Sequence, residues 1–117
     1  QREMDYQVSR AGWTGDYPDP NTFLDMWTSW SQQNQTGWFD PKYDELIRKA
    51  AVTKNPDARL EVFQEAEEIL MDQLPIIPIY IYTRVYALHP AVKNWHANVL
   101  DHHPWKHVDL DLKLLKK

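Results

Sequence analysis

The chain has 117 residues, 43% of them hydrophobic and 26% charged, and carries a net charge of −4. That length fits one domain at most, and an acidic balance without clustered Lys and Arg excludes a nucleic-acid footprint. With no cysteine there is no disulfide framework, no thiolate nucleophile and no Cys-based zinc site.

The apolar runs are too short to span a membrane; the longest, "LPIIPIYIY", holds nine residues and two prolines. The chain opens on "QREMDYQVSR", without an initiator Met or a signal-peptide pattern, and is read as starting at a fragment boundary. Six Trp and six Tyr exceed what a small core needs. Such rings, apolar with a polar handle, suit surfaces that meet water or a ligand.

Residues 5–10, "DYQVSR", place Tyr6 and Val8 on one face and Gln7 and Ser9 on the other, which predicts a short strand. Residues 9–21, "SRAGWTGDYPDPN", crowd Gly, Pro and Asp together and predict a loop. Asn21 is expected to cap a short helix over "NTFLDMWTSW", and the Gln-rich 31–37 stretch is a loop. Asp40-Pro41 and Asn55-Pro56 each combine a capping side chain with proline at the first helical position, where its missing N–H costs nothing.

The first of these two helices has an apolar stripe of Tyr43, Leu46, Ile47, Ala50 and Ala51. Asp44 and Arg48 are expected to pair across one turn. The second has Val62, Phe63, Ala66, Ile69 and Leu70, with Glu61, Glu65, Glu67 and Glu68 mostly in solvent, and stops at Leu74-Pro75. Beyond it "IIPIYIYTRVYAL" is β-branched and aromatic and predicts one or two buried strands. Residues 91–107 look irregular, and "VDLDLKLLKK" predicts a final strand. The class is mixed α/β. An apolar strand near residue 79 with so few partners suggests part of a larger sheet.

Within the 9–21 loop, Asp16 fits the cap of a turn as readily as a binding carboxylate. Trp13 fits an ordinary core aromatic, and Arg10 a salt bridge to an acidic neighbour. Asp19 and Asn21 fit a turn; the spacing lacks the glycine and final glutamate of a calcium loop. His96, His102, His103 and His107 lie close together with Asp101. Their spacing is not the i, i+4 helical pair of a metalloprotease, so no metal site is expected.

Taken together and in order, "SRAGWTGDYPDPNTFL", "PKYDELIRKA", "FQEAEEILMDQLPIIPIYIY" and "VKNW" resemble the C-terminal part of bacterial oligopeptide-binding proteins. These are the family 5 extracytoplasmic solute-binding proteins of ABC peptide importers. The resemblance implies a segment of a two-lobed, type II periplasmic-binding-protein fold that closes over a peptide. Residues 1–74 would belong to the second ligand-binding lobe. Residues 75–117 would cross back and return to the first. Oligopeptides would be the ligand, and membrane permease subunits the partner of the full-length protein. The location would be periplasmic or otherwise extracytoplasmic. No cofactor is implied.

By the same resemblance, Asp16 would pair the ligand's N-terminal ammonium through a charge-assisted hydrogen bond. Trp13 and Thr14 would offer main-chain groups to the peptide backbone, as suits a receptor of many sequences. Thr14 stands where Cys is familiar in the family, a change that a main-chain contact tolerates. Gly12 and Gly15 would let the backbone turn tightly beside the ligand. Arg10 would meet the ligand's C-terminal carboxylate, and the Tyr82 hydroxyl would reach the peptide.

The first half of the loop would then face the ligand, and "YPDPN" would be structural, so that Asp16 rather than Asp19 is the carboxylate of interest. Two other readings compete. One is a stand-alone interaction module that uses an exposed sheet edge. The other is a hydrolase fragment with Asp16 and Asp19 as its carboxylate pair, although neighbours on one turn rarely take the required separation. For the isolated segment, unpaired strands point to a possible homodimer.

Overall fold

A computed structural model describes residues 5–98 and 100–115. The chain divides into two units, Gln1–Ile79 and Tyr80–Lys117.

The first unit is helical. A short helix α1 (Asn21–Leu24) runs into a 3-10 turn (Asp25–Trp27), and two long helices follow, α2 (Pro41–Val52) and α3 (Pro56–Gln73). Both long helices start as their sequences predict. The Asp40 carboxylate accepts from the Lys42 and Tyr43 amides, and the Asn55 side chain accepts from the Ala58 amide. Each cap satisfies helix N–H groups that have no partner inside the helix. Helix α3 stops with Leu74 in the left-handed region at φ 48°, just before Pro75.

The core lies between α2 and α3. Tyr43, Leu46, Ile47 and Ala50 pack against Val62, Phe63, Ala66 and Leu70, and Leu24 of α1 joins them. Ala50 and Ala66 are fully buried, and their small side chains let the two backbones approach closely. Ala51, expected in the stripe, is exposed instead. The four α3 glutamates are exposed as expected. A Trp38 Nε1–Gln73–Asp40 relay, with both hydrogen bonds at 2.7 Å, ties the end of α3 to the cap of α2. The Gln73 hydrogen bond, aided by the Tyr43 amide, holds the Asp40 carboxyl below the usual carboxylate range.

Three local expectations are corrected. Residues 5–10 form no strand; Tyr6 is instead tied by its hydroxyl to the Gln35 carbonyl at 2.5 Å. Asn21 does not cap α1. It is the first helical residue, and its amide donates to Asp19 Oδ1 at 2.9 Å. Asp44 does not pair with Arg48. It is buried and accepts from the Ser29 amide at 3.0 Å and the Ser29 hydroxyl at 2.5 Å, while Arg48 lies over the Trp30 ring.

The second unit has one antiparallel pair, β1 (Val92–Lys93) with β2 (Asp109–Leu110), in the register Val92 to Leu110 and Lys93 to Asp109. The expected strand at 108–117 is thus real over two residues, and Lys116 and Lys117 lie outside the described residues. The expected strand over 76–88 is absent: no ladder forms there among the described residues. A strand needs a neighbouring backbone to hold its N–H and C=O groups, whatever its own propensity. Ile79, Ile81 and Val85 are accordingly exposed. Around β1, the Trp95 ring stacks on His103 with centroids 3.8 Å apart, and Asp101 pairs with both His103 and Arg84. No helix among the described residues is long and apolar enough to cross a membrane.

Candidate functional site

The loop before α1 carries five of the six residues singled out above: Arg10, Trp13, Thr14, Gly15 and Asp16. The sixth, Tyr82, belongs to the second unit, where its ring meets Tyr80 edge-on with centroids 4.5 Å apart.

Two contacts join the loop to α1. The Asp16 amide donates to Thr22 Oγ1 at 3.0 Å. Gly15 sits so close to the helix that an added Cβ would lie 3.0 Å from Phe23 Cζ and 3.1 Å from Thr22 Cγ2. A side chain there would press on the tip of the half-exposed Phe23 ring and on the Thr22 methyl, which would have to give by a few tenths of an ångström. A Cβ at Gly12 would meet nothing within 4 Å, and neither glycine has a positive φ. Neither glycine therefore uses the left-handed conformation that glycine alone adopts freely.

The two aspartates of the loop have different surroundings. Asp16 is exposed, and its carboxylate accepts no hydrogen bond among the described residues. Asp19 is fully engaged: Arg59 Nη1 and Nη2 bind Oδ2 and Oδ1 at 2.6 and 2.9 Å. That guanidinium, with help from the Asn21 amide, holds the Asp19 carboxyl below the ordinary range against the opposing effect of burial. A carboxylate so occupied is unsuited to general-acid work or to sharing a proton with Asp16. The Asp16–Asp19 pair of a hydrolase finds no support in this geometry.

Asp25 adds a second acidic group. Burial raises its carboxyl above the ordinary value. Hydrogen bonds from Asn21 and Tyr17 oppose the rise, and the negative charge of Asp16 adds to it. Asn21 spans Tyr17 and Asp25, donating to each at 3.0 Å.

Behind the loop, the Tyr43 hydroxyl donates to the Leu24 carbonyl at 2.6 Å. The Asn34 side chain donates to the Trp27, Thr28 and Trp38 carbonyls at 2.9 to 3.3 Å. These supports, with Arg59 and Asp44, were not legible as site residues. Only Arg59 left a trace, since Arg59 and Phe63 are four apart on α3 and their side chains stack at 4.6 Å.

The histidine-rich stretch lines a cavity of about 420 Å³ in the second unit with Asn94, Trp95 and Asn98. Among the described residues, no group of three or more His, Asp or Glu is gathered as a metal ion requires.

No protein-family model matches the chain. Individual proteins do. The dipeptide-binding protein DppE of Bacillus subtilis is 33% identical over 110 residues, 94% of this chain and 19% of its own length. The periplasmic murein peptide-binding protein MppA of Escherichia coli is 39% identical over 93 residues, 80% of this chain and 17% of its own. The oligopeptide-binding protein OppA of Bacillus subtilis is 38% identical over 85 residues, 72% of this chain and 16% of its own. The chain thus spans less than a fifth of these relatives. As a segment, it is similar, at 33–39% identity, to bacterial proteins whose names specify peptide binding.

Proposed function

We propose that this segment supplies part of the peptide site in the substrate-binding component of an ABC oligopeptide importer, working outside the cytoplasmic membrane. The observation that carries the proposal is the contrast within one loop. Asp19 is consumed by Arg59, whereas the Asp16 carboxylate stands exposed with no donor among the described residues. A peptide's α-ammonium, stripped of water in a closing cleft, needs such a partner. The main chain at Trp13 and Thr14 would meet the peptide backbone, with Arg10 and Tyr82 as further contacts. The names of the relatives, which specify dipeptide, murein peptide and oligopeptide, support a peptide as the ligand class.

Residues 1–74 would belong to one lobe of a two-lobed type II receptor, at its C-terminal end, and residues 75–117 would cross to the other. The exposed apolar run at 77–88 supports this, since a β-rich segment that forms no ladder among the described residues fits one whose sheet partners lie in the rest of the protein. The protein would act as a receptor without catalysis, delivering its ligand to permease subunits. The isolated segment would pair with a second copy through the same run; a monomer in light scattering at high concentration overturns that part.

The test uses the full-length protein that carries this segment. Asp16→Asn should weaken binding of a free-amine peptide by about 10- to 100-fold, the worth of a charged hydrogen bond, and leave its N-acetylated form nearly unchanged. Equal weakening of both would remove Asp16 as the amine partner.

A further inference from the structure

We infer that Arg59 is a positioning residue for the peptide site: through Asp19 it sets where the Asp16 carboxylate stands. The inference rests on the proposed role of Asp16 and adds a residue that touches no ligand.

Arg59 is anchored on the core side. Its Nε donates to the Ala50 carbonyl in the last turn of α2 at 3.2 Å, and its guanidinium lies 4.6 Å from the centroid of the buried Phe63 ring. One side chain therefore spans α2, α3 and the loop. A guanidinium held on three sides has a fixed orientation, and its remaining donors face Asp19 as a rigid pair. The Arg59 and Asp19 side chains are 28% and 30% exposed, so the pair's fixed orientation comes from its two-point geometry rather than from exclusion of water.

The coupling continues along the backbone. Asp19 Oδ1, already bound by Arg59, also accepts from the Asn21 amide and so places the first residue of α1. One residue later, Thr22 Oγ1 receives the Asp16 amide, and Gly15 rests against Thr22 and Phe23. The Asp16 backbone is thus tied through α1 to the residue that Arg59 holds. Helix α1 is only four residues long and has no side-chain cap from its preceding Pro20. Alone it lacks the length to be stable. Charge is settled in the same step: Asp19 neutralises Arg59, so the Asp16 carboxylate keeps its attraction for a ligand ammonium.

Lysine keeps the charge at position 59 but cannot make the paired contact or the stack on Phe63. In the full-length protein, Arg59→Lys should weaken binding of trialanine by about fivefold or more and of N-acetyl-trialanine by less than about twofold. It should also speed hydrogen exchange at the Asp16 amide, which Asp16→Asn should leave slow. Asp19→Asn gives a second route if Arg59→Lys folds poorly. It keeps the acceptor for Asn21 and removes the ion pair, and it should act in the same direction.

If Asp16→Asn discriminates between the two peptides and neither Arg59→Lys nor Asp19→Asn does, the positioning role is wrong. If Asp16→Asn weakens both peptides equally while Arg59→Lys still speeds exchange, the amine assignment falls and the loop-setting role of Arg59 stands. If exchange at Asp16 is unchanged in both Arg59→Lys and Asp19→Asn, the coupling itself is refuted.

Discussion

Tyr43→Phe tests how the loop and α1 are held to the helical pair. Tyr43 is 0% exposed, and its hydroxyl donates to the Leu24 carbonyl at 2.6 Å. Burial, with the nearby Asp25, Asp44 and Glu67 carboxylates, pushes the phenol well above its ordinary pKa, so it stays a neutral donor. The substitution keeps the ring and its edge-on contact with Trp38, centroids 5.2 Å apart, and deletes one oxygen. Water cannot replace that oxygen without opening the core.

Losing one buried hydrogen bond costs about 0.5–1.5 kcal/mol, which we place near ~1 kcal/mol because the Leu24 carbonyl keeps the Trp27 amide of the 3-10 turn. For a unit of this size that lowers the melting temperature by about 4–8 °C. Thermal unfolding of the chain, followed by far-UV circular dichroism, reports chiefly α2 and α3. Tyr6→Phe serves as a control, because its bond to Gln35 is only partly buried and its loss should cost less. A Tyr43→Phe protein within about 0.5 kcal/mol of the parent, the range of neutral surface changes, would refute the view that this hydroxyl fastens α1.

Asp19 should make stability depend on acid. Its folded carboxyl lies below the unfolded value, so its contribution is present above about pH 4 and is lost as the pH falls through the depressed value. The denaturation gap between the parent and Asp19→Asn should therefore shrink from pH 7 to pH 3; a constant gap would count against the ion pair. Leu74→Gly should stabilise the chain by about 0.5–1 kcal/mol, since glycine accepts the left-handed φ of 48° at the end of α3 and the leucine is 55% exposed. A lower midpoint in urea would show that the leucine side chain matters more than the strain. Asp40→Ala should cost about 1–2 kcal/mol, because it removes the α2 cap and the acceptor of Gln73 together. An Asp40→Asn protein as unstable as Asp40→Ala would argue that charge, not capping geometry, is what the helix needs.

Helices α2 and α3 were legible because all their determinants are local. Asp40-Pro41 and Asn55-Pro56 supply the starts, the apolar stripes repeat at helical spacing, and Leu74-Pro75 supplies a stop. The opening loop was legible only in part: "YPDPN" is structural, but through the Asp19–Arg59 pair rather than by ending a strand and capping α1. The family resemblance was also carried by sequence, because four short motifs recur in order.

The supports of the site were hidden for a different reason. Asp19 and Arg59 lie 40 residues apart, and no spacing rule links them. Asp44 has a suitable partner four residues away in Arg48, yet the fold spends it on Ser29, 15 residues back, because burial gives the longer-range hydrogen bonds the higher worth. The strands at 5–10 and 76–88 failed on the same principle seen from the other side. Alternation and β-branched residues make a segment ready to pair, but a ladder exists only where a second backbone arrives. Helices close their hydrogen bonds within a few residues, so local sequence decides them. Strands, ion pairs and buried carboxylates close theirs across the fold, so tertiary structure decides them.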